Sequence, residues 1–150
     1  MINPNSSLCR VLDLLADGTN IVLIGWLLVL LVLKTKSGAA NWKNWSAVFL
    51  SIAVVYIVKS IDSKLHLWES AGLNYSTHSA LAAVLVLSIC FFDRARRAPA
   101  IGVFVAYEVL QMLLGFHSLL DILSTLLVVV PTIWLCLVRI GARPASVELN

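Results

Sequence analysis

Long apolar runs alternate with short polar stretches along the chain, a pattern that predicts several membrane-crossing helices. A helix needs about 20 apolar residues to cross the hydrocarbon of a bilayer, with a range of roughly 17–25. Charged residues close most of the runs, as Lys34 closes the first and Arg139 the last. We predict five membrane helices with apolar cores at residues 20–33, 45–58, 79–92, 98–116 and 119–138.

The residues before the first run have a different, amphipathic pattern. Leu8, Leu12 and Leu15 recur at helical spacing, while Arg10 and Asp13 fall elsewhere around the helix. Such a pattern predicts a short helix at the membrane interface. We therefore expect an N-terminal segment at 1–19 with an interfacial helix, a transmembrane bundle at 20–140 and a cytoplasmic tail at 141–150.

The composition supports a membrane protein over a soluble domain. Hydrophobic residues make up 60% of the chain and charged residues 13%, against roughly 45–50% and about 25% in an average soluble domain. A folded chain of this size leaves about a third of its unfolded surface exposed. A bilayer would cover the apolar excess, so the expected fold class is all-α, a polytopic membrane helix bundle.

The basic residues indicate how the bundle is oriented. With five spans, eight of the eleven lysines and arginines lie on one side: Lys34, Lys36, Lys43, Arg94, Arg96, Arg97, Arg139 and Arg143. Arg10, Lys59 and Lys64 lie on the other side. The positive-inside rule then places the C-terminus in the cytoplasm and the N-terminus outside. We expect a bacterial inner-membrane protein.

The three histidines all fall on the predicted outer side. His117 precedes Asp121 by four residues at the start of the fifth helix, and residues at that spacing share a helix face. Asp121 is therefore expected to accept a hydrogen bond from His117, which would fix the tautomer and raise the basicity of the other ring nitrogen.

Two further stretches place anion-binding groups on that side. Tyr75-Ser76-Thr77-His78 opens the third helix, where first-turn amides and hydroxyls favour an anion. The alternative is a Ser/Thr helix cap with an unrelated histidine. Lys59 ends the second helix and shares a face with His66 if that helix continues. It would bind phosphate as a point charge, or else extend to the interface as a snorkelling lysine.

Together these stretches resemble the type 2 phosphatidic acid phosphatase superfamily of membrane lipid phosphatases and phosphotransferases. The family has three blocks in order: K-x6-R-P, P-S-G-H and S-R-x5-H-x3-D. Lys59 matches the first block, Ser76 and His78 the second, and His117 and Asp121 the third. The resemblance covers residues 51–138.

The chain departs from the family pattern at several positions. The arginine of the first block falls at His66, and the serine and arginine of the third fall at Leu110 and Gln111. Tyr75 and Thr77 replace the proline and glycine of the second block. Arginine grips phosphate through paired hydrogen bonds that histidine and glutamine do not reproduce. The family usually has six spans, and the first has no counterpart here.

The resemblance implies a role for each matching residue. His117 would be the nucleophile that takes the phosphoryl group, Asp121 would orient it, and His78 would protonate the leaving oxygen and later activate water. The residues expected to bind the phosphate are Lys59, Ser76, Thr77, Lys64 and His66. No metal or other cofactor is implied. Glu108 and Gln111 share a face of the fourth helix, where they would support the histidines or hold the bundle by interhelical hydrogen bonds.

Three functions follow as expectations. The first is a phosphatase or phosphotransferase that acts on a lipid phosphate or pyrophosphate at the outer face, through a phosphohistidine. The second is a non-catalytic relative that binds a lipid head group, or a subunit that pairs with another membrane protein or a second copy. The third is a metal site of His78, His117 and Asp121, with His66. No nucleic-acid partner is expected, because the basic residues are split among loops.

Overall fold

The computed structural model describes residues 7–36 and 42–141, and for residues 7–13, 17 and 36 it describes the backbone alone. Every regular element in these ranges is helical, which confirms the predicted all-α class. The helices are α1 (Ser7–Lys36), α2 (Trp42–Leu65), α3 (Leu67–Ser70), α4 (Thr77–Phe92), α5 (Arg97–Leu113) and α6 (Leu119–Ile140), with a 3₁₀ turn at Arg94–Arg96. The predicted tail, beyond Gly141, lies outside the described residues.

Helix α4 is the centre of the bundle. It packs against α1, α2, α5 and α6, while α1 also contacts α5 and α2 contacts α6. Most of its residues are buried, from Ser79 near its start to Phe92 at its end. A helix that is apolar on every side is expected in the interior, and the run of alanine, valine and leucine in α4 has that character.

Within the described ranges, three helices are long and apolar enough to cross a membrane: residues Leu14–Thr35 of α1, and the whole of α2 and α6. Helix α4 has 16 residues, which reach about 24 Å at 1.5 Å per residue, less than the roughly 30 Å of a hydrocarbon core. The structure therefore confirms helices that fit a membrane protein. The number of five spans stays a prediction.

The N-terminal region differs from the prediction of a separate interfacial helix. Residues 7–36 form one continuous helix of 30 residues, so the amphipathic segment runs directly into the first apolar run. Neither a proline nor a capped break separates them, and Gly18 alone disfavours a helix by only about 1 kcal/mol. The side chains that gave the segment its amphipathic pattern lie mostly outside the described residues.

Successive long helices run in alternating directions, so their ends meet in two groups. The C-terminal ends of α2 and α5 lie with the N-terminal ends of α4 and α6, and we name this the site end. At the site end, a hydrogen bond from Asn74 to Asp121 joins the segment before α4 to α6, and one from Ser79 to Glu108 joins α4 to α5. The opposite end holds most of the described basic residues: Lys34, Lys43, Arg94, Arg96, Arg97 and Arg139.

Candidate active site

The segment between α2 and α4 is fixed to the bundle by two aromatic residues. Trp68 donates its backbone N–H to Asp62 Oδ1 over 3.0 Å and its indole Nε1–H to Ser124 Oγ over 3.0 Å. Tyr75 donates its hydroxyl to the carbonyl of Val55 over 3.1 Å. The two rings meet edge to face at 5.0 Å between centroids. These contacts join α2, α3 and α6 beside the start of α4.

Asp121 is bonded to two backbone amides. Its Oδ1 accepts from Asn74 N over 2.6 Å, and its Oδ2 accepts from Ser118 N over 2.8 Å. Ser118 Oγ in turn accepts from Asp121 N over 3.2 Å, which completes a capping box at the start of α6. Asp121 therefore joins the segment before α4 to the first turn of α6.

The capping box corrects the expected geometry of the histidine–carboxylate pair. Helix α6 begins at Leu119 with Ser118 as its N-cap, so His117 lies outside the helix and does not share a helical face with Asp121. The structure shows no hydrogen bond between the two side chains. The local Ser118-x-x-Asp121 motif determines this, because each residue satisfies an otherwise unpaired amide of the other.

His117 lies in the connection between α5 and α6, half-buried, with Nδ1 enclosed and no hydrogen-bond partner in the described part of the chain. Burial lowers the pKa of His117 below its ordinary value of 6.5. The electrostatic interaction with Asp121 opposes this shift, and the interactions with His78 and Lys59 add to it. His78 and Lys59 are thus close enough to act on the ring. The imidazole is held neutral at pH 7.

The first turn of α4 presents His78 to solvent while its serines face inward. Ser76 is the N-cap: its Oγ accepts from Ser79 N over 3.3 Å and donates to Ser79 Oγ over 2.7 Å. The capping alternative for Ser76 is therefore realised, and its hydroxyl is fully buried. The amides of Thr77 and His78 bond to no acceptor within the described residues, so they remain available to an anion.

Lys59 lies at the site end of α2, half-exposed. Its Nζ is 4.0 Å from Asp62 Oδ2 and 5.9 Å from the centre of the Tyr75 ring. Burial, and to a smaller extent the nearby carboxylate of Asp62, raises the pKa of Tyr75 to about 12. Lys59 thus lies close to Tyr75, in the segment that leads into α4.

The structure shows no contact of His66 or Lys64 with His78 or His117. His66 adopts a left-handed backbone conformation (φ 51°), which ends α2 at Leu65, so it does not continue the face that carries Lys59. Its Nδ1 lies 2.7 Å from Glu69 Oε2, with both side chains exposed. Lys64 is also exposed, in the last turn of α2, where a positive charge suits the helix dipole. The expectation that these two replace an arginine gains nothing from this geometry.

Glu108 and Gln111 are both buried on α5, as their shared face predicted. Glu108 Oε2 accepts from Ser79 Oγ on α4 over 2.7 Å. Gln111 Nε2 donates to the Tyr107 hydroxyl over 2.6 Å, and Asn20 Nδ2 on α1 donates to the same oxygen over 3.1 Å. Glu108 thus links α5 to α4, and the Tyr107 hydroxyl that Gln111 contacts links α5 to α1. Neither Glu108 nor Gln111 bonds to a histidine ring.

Sequence reasoning missed several residues that build this end of the bundle. Ser118 carried a readable signal, since Ser-x-x-Asp before an apolar run is a capping box. Ser79 stood three residues after the cap Ser76, a spacing that brings their side chains together on a first helical turn. Thr125 and Trp68 gave no local signal, because their partners are distant in the chain.

The alternative of a metal site gains no support. Among the residues that the structure describes, no group of three or more histidine, cysteine, aspartate and glutamate side chains could hold a metal ion. His78 and His117 are close enough to interact, but Asp121 is occupied by backbone amides and His66 lies at the surface beside Glu69.

No protein-family model, curated protein or solved structure matches the chain. The resemblance to the type 2 phosphatidic acid phosphatases therefore depends on the matching residues themselves: Lys59, Ser76, His78, His117 and Asp121.

Proposed function

We propose that the chain is an integral membrane phosphatase or phosphotransferase that acts on a lipid phosphate or lipid pyrophosphate through a phosphohistidine at His117. One observation carries the proposal. The bond from Asn74 N to Asp121 Oδ1 over 2.6 Å holds the segment that leads to His78 against the start of α6, next to the half-buried His117. The electrostatic interactions of His117 with Asp121, His78 and Lys59 agree with this arrangement. Perturbed groups of this kind gather at active sites more often than elsewhere.

His117 has the properties that a nucleophile needs. Because its pKa lies below 6.5, the ring is neutral at pH 7 and a lone pair is available. Nδ1 is enclosed by the protein, so Nε2 is the nitrogen that would meet the phosphorus. Nε2 would form a bond to phosphorus as the bond from phosphorus to the lipid oxygen breaks.

His78 would complete both halves of the reaction. Its exposed ring would first give a proton to the leaving lipid oxygen. It would then take a proton from water, or from an acceptor hydroxyl, as that oxygen attacks phosphorus and the bond to His117 breaks. Free phosphate or a phosphorylated acceptor would leave, and His117 would return to its neutral form.

Fixed positive groups would balance the charge of the phosphate. Lys59 lies near His117, and the unpaired amides of Thr77 and His78 form the positive end of the α4 dipole. Such preorganised donors stabilise charge as it develops, with no metal ion needed. They would do this without the two arginines of the related family pattern.

An apolar groove beside this site favours a lipid substrate. It has a volume of about 490 Å³ and runs along α6 from Leu120 to Val130, with Leu73 on its other wall. Leu73 and Leu120 each precede a member of the hydrogen-bonded pair Asn74 and Asp121 in the chain, so this part of the groove lies at the level of the site end. A molecule with a phosphate at one end and a hydrocarbon tail would match both surfaces.

The proposed setting is a bacterial inner membrane with the site end outside. Helices α4 and α5 would be two more spans in addition to α1, α2 and α6, which makes five in total. The polar segments at their ends would be buried inside the bundle and not exposed to lipid. The basic residues of the opposite end would then face the cytoplasm, as the positive-inside rule requires.

Phosphate release by purified protein in detergent tests this function. Wild type is compared with His117→Ala and with Phe116→Ala, which changes an exposed neighbour in the same connection. We expect wild type and Phe116→Ala to release phosphate from lipid phosphates and His117→Ala to release none above background. Equal background release from all three proteins would contradict the proposed activity.

A second function is favoured by the occupied carboxylate of Asp121 and the unpaired Nδ1 of His117. Without an orienting hydrogen bond, the site could hold a phosphorylated head group and not transfer it, in a non-catalytic relative or a subunit that pairs with another membrane protein or a second copy. Binding of vesicles that contain a lipid phosphate, without phosphate release and with loss of binding in Lys59→Ala, would favour this function.

A further inference from the structure

A chain of hydrogen bonds crosses three helices beneath the candidate site. Ser79 donates its hydroxyl to Glu108 Oε2 over 2.7 Å, and Ser76 donates its hydroxyl to Ser79 Oγ over 2.7 Å. The backbone N–H of Ser76 donates to Thr125 Oγ1 over 3.0 Å. All four residues are buried, with Glu108 only 7% exposed. The first turn of α4 is therefore held between α5 and α6.

We propose that Glu108 is a positioning residue that, through Ser79, holds the first turn of α4 and so sets where His78 stands relative to His117. The inference rests on the proposed function, in which His78 and the amides of that turn meet the phosphate. In this proposal Glu108 positions the first turn of α4. It does not position His117, although His117 is nearer to it in the sequence.

The cost of burying Glu108 supports a specific role. A carboxylate inside an apolar bundle is disfavoured, and one of its oxygens, Oε1, has no partner in the described structure. An apolar side chain would pack at this position without that penalty. Among the described residues, Glu108 bonds through its side chain to Ser79 alone, and this bond is the interaction that distinguishes it from an apolar residue.

The carboxylate also fixes the direction of the chain. An ionised carboxylate only accepts hydrogen bonds, so Ser79 must donate to Glu108. Ser79 Oγ is then left to accept from Ser76, and Ser76 Oγ is left to accept from the backbone of Ser79 as the helix cap. Removal of the carboxylate would free both hydroxyls to rotate and would loosen the cap.

Glu108 acts by position and not by proton transfer. The chain ends at Ser76 and Thr125, both fully buried, and it includes neither histidine ring. No bond in it leads a proton to the exposed ring of His78. A glutamine at this position would keep a carbonyl oxygen that accepts from Ser79, so the conservative variant should retain most of the function.

Turnover measurements on four variants test the proposal. Glu108→Ala and Ser79→Ala are expected to lower kcat by about ten- to hundredfold, since small misplacements of reacting groups have effects of that order. Glu108→Gln should remain within about threefold of wild type, because one hydrogen bond of ordinary strength is kept. Ser88→Ala, which changes a buried serine on α4 outside the chain, should match wild type.

Hydrogen exchange of the amides of Ser79 and Ala80, which donate to the hydroxyl and the carbonyl of Ser76, gives a measurement that does not depend on turnover. We expect exchange in Glu108→Ala and Ser79→Ala to be about tenfold faster than in wild type, with no change in Ser88→Ala. Unchanged exchange in both variants would overturn the proposal, as would wild-type kcat in both. If Glu108→Ala does not fold, Ser79→Ala carries the test.

The two proposals fail in different ways. If wild type and His117→Ala give the same background phosphate release, the proposed activity is lost, and the exchange rates still decide whether Glu108 holds the α4 turn. If wild type is active and Glu108→Ala and Ser79→Ala are equally active, the activity stands and the positioning role is lost.

Discussion

Replacement of Asp121 with alanine should destabilise the protein more than loss of a helix cap can explain. The carboxylate accepts from Ser118 N, which caps α6, and from Asn74 N, which lies 47 residues earlier in the chain. Ser118→Ala breaks the other half of the capping box, in which Asp121 N donates to Ser118 Oγ, and leaves both carboxylate bonds in place. Each variant thus breaks one half of the capping box, and only Asp121→Ala also breaks the bond to Asn74, so the excess loss of stability in Asp121→Ala reports the bond that joins the α4 segment to α6.

The magnitude follows from the two acceptor bonds. Loss of a serine N-cap costs about 1 kcal/mol, with a range of roughly 0.5–2. A hydrogen bond to a charged group contributes about 1.5–3 kcal/mol, and Asp121 is only 6% exposed. We therefore expect about 1 kcal/mol for Ser118→Ala and about 3 kcal/mol for Asp121→Ala, with Asp121→Asn between them because its amide oxygen still accepts one bond.

The assay is reversible unfolding in mixed micelles, with a denaturing detergent added stepwise and helix content followed by circular dichroism. The free energy of unfolding is compared for wild type, Ser118→Ala, Asp121→Asn and Asp121→Ala. If Asp121→Ala is destabilised no more than Ser118→Ala, the bond to Asn74 contributes nothing. The described link between the α4 segment and α6 would then be refuted.

Three further predictions concern the connections at the site end. Because burial lowers the pKa of His117, the rate of phosphate release should fall only below pH 6.5, and a midpoint above 6.5 in the pH profile of kcat/KM would contradict this. The folded state should lose stability over the same acidic range, since the unfolded chain binds that proton more readily. Gly115→Ala, at φ +74°, should lower the stability measured by thermal unfolding by about 1 kcal/mol. Gly102→Ala, in a helix with open space around it, should raise that stability by about 0.5–1 kcal/mol, and equal effects of the two variants would contradict this prediction. His66→Gly should raise stability by up to about 1 kcal/mol, because φ 51° suits glycine; a loss of stability would show that the contact with Glu69 matters more.

The helices themselves could be predicted from the sequence. Long apolar runs closed by charges gave five helices, and the observed bounds of α4 (Thr77–Phe92) and α6 (Leu119–Ile140) lie within two residues of the predicted ones. Hydropathy works here because a buried or lipid-facing helix must be apolar over its whole length. It does not determine which helices cross the membrane, since α4 is both the most central and among the shortest.

The connections could not be predicted from helical spacing. The expected pairing of His117 with Asp121 failed because Ser118 caps α6 and takes the carboxylate for its own backbone. The expected face shared by Lys59 and His66 failed because His66 turns left-handed at the end of α2. Both outcomes depend on where a helix begins or ends, and local side-chain bonds to the backbone compete with helix continuation there. The spacing of apolar residues carries no information about this competition.

The long-range polar contacts needed the tertiary structure. The bond between Ser79 and Glu108 spans 29 residues, and the bond between Ser76 and Thr125 spans 49. In the sequence, each of these residues is an ordinary polar residue in or beside an apolar helix, and nothing near it indicates its distant partner. Packing of α4 between α5 and α6 brings them together.

Isolation of the covalent intermediate would show whether His117 is the nucleophile. Purified protein is mixed with a lipid phosphate labelled on phosphorus, quenched in alkali, which preserves phosphohistidine, and digested for mass spectrometry. We expect a phosphoryl group on His117 in wild type and none in His117→Ala. His78→Ala should accumulate more of the intermediate, because transfer to water is slowed. Turnover of the lipid phosphate without label at His117, or label that survives in His117→Ala, would contradict the role of His117 as the nucleophile.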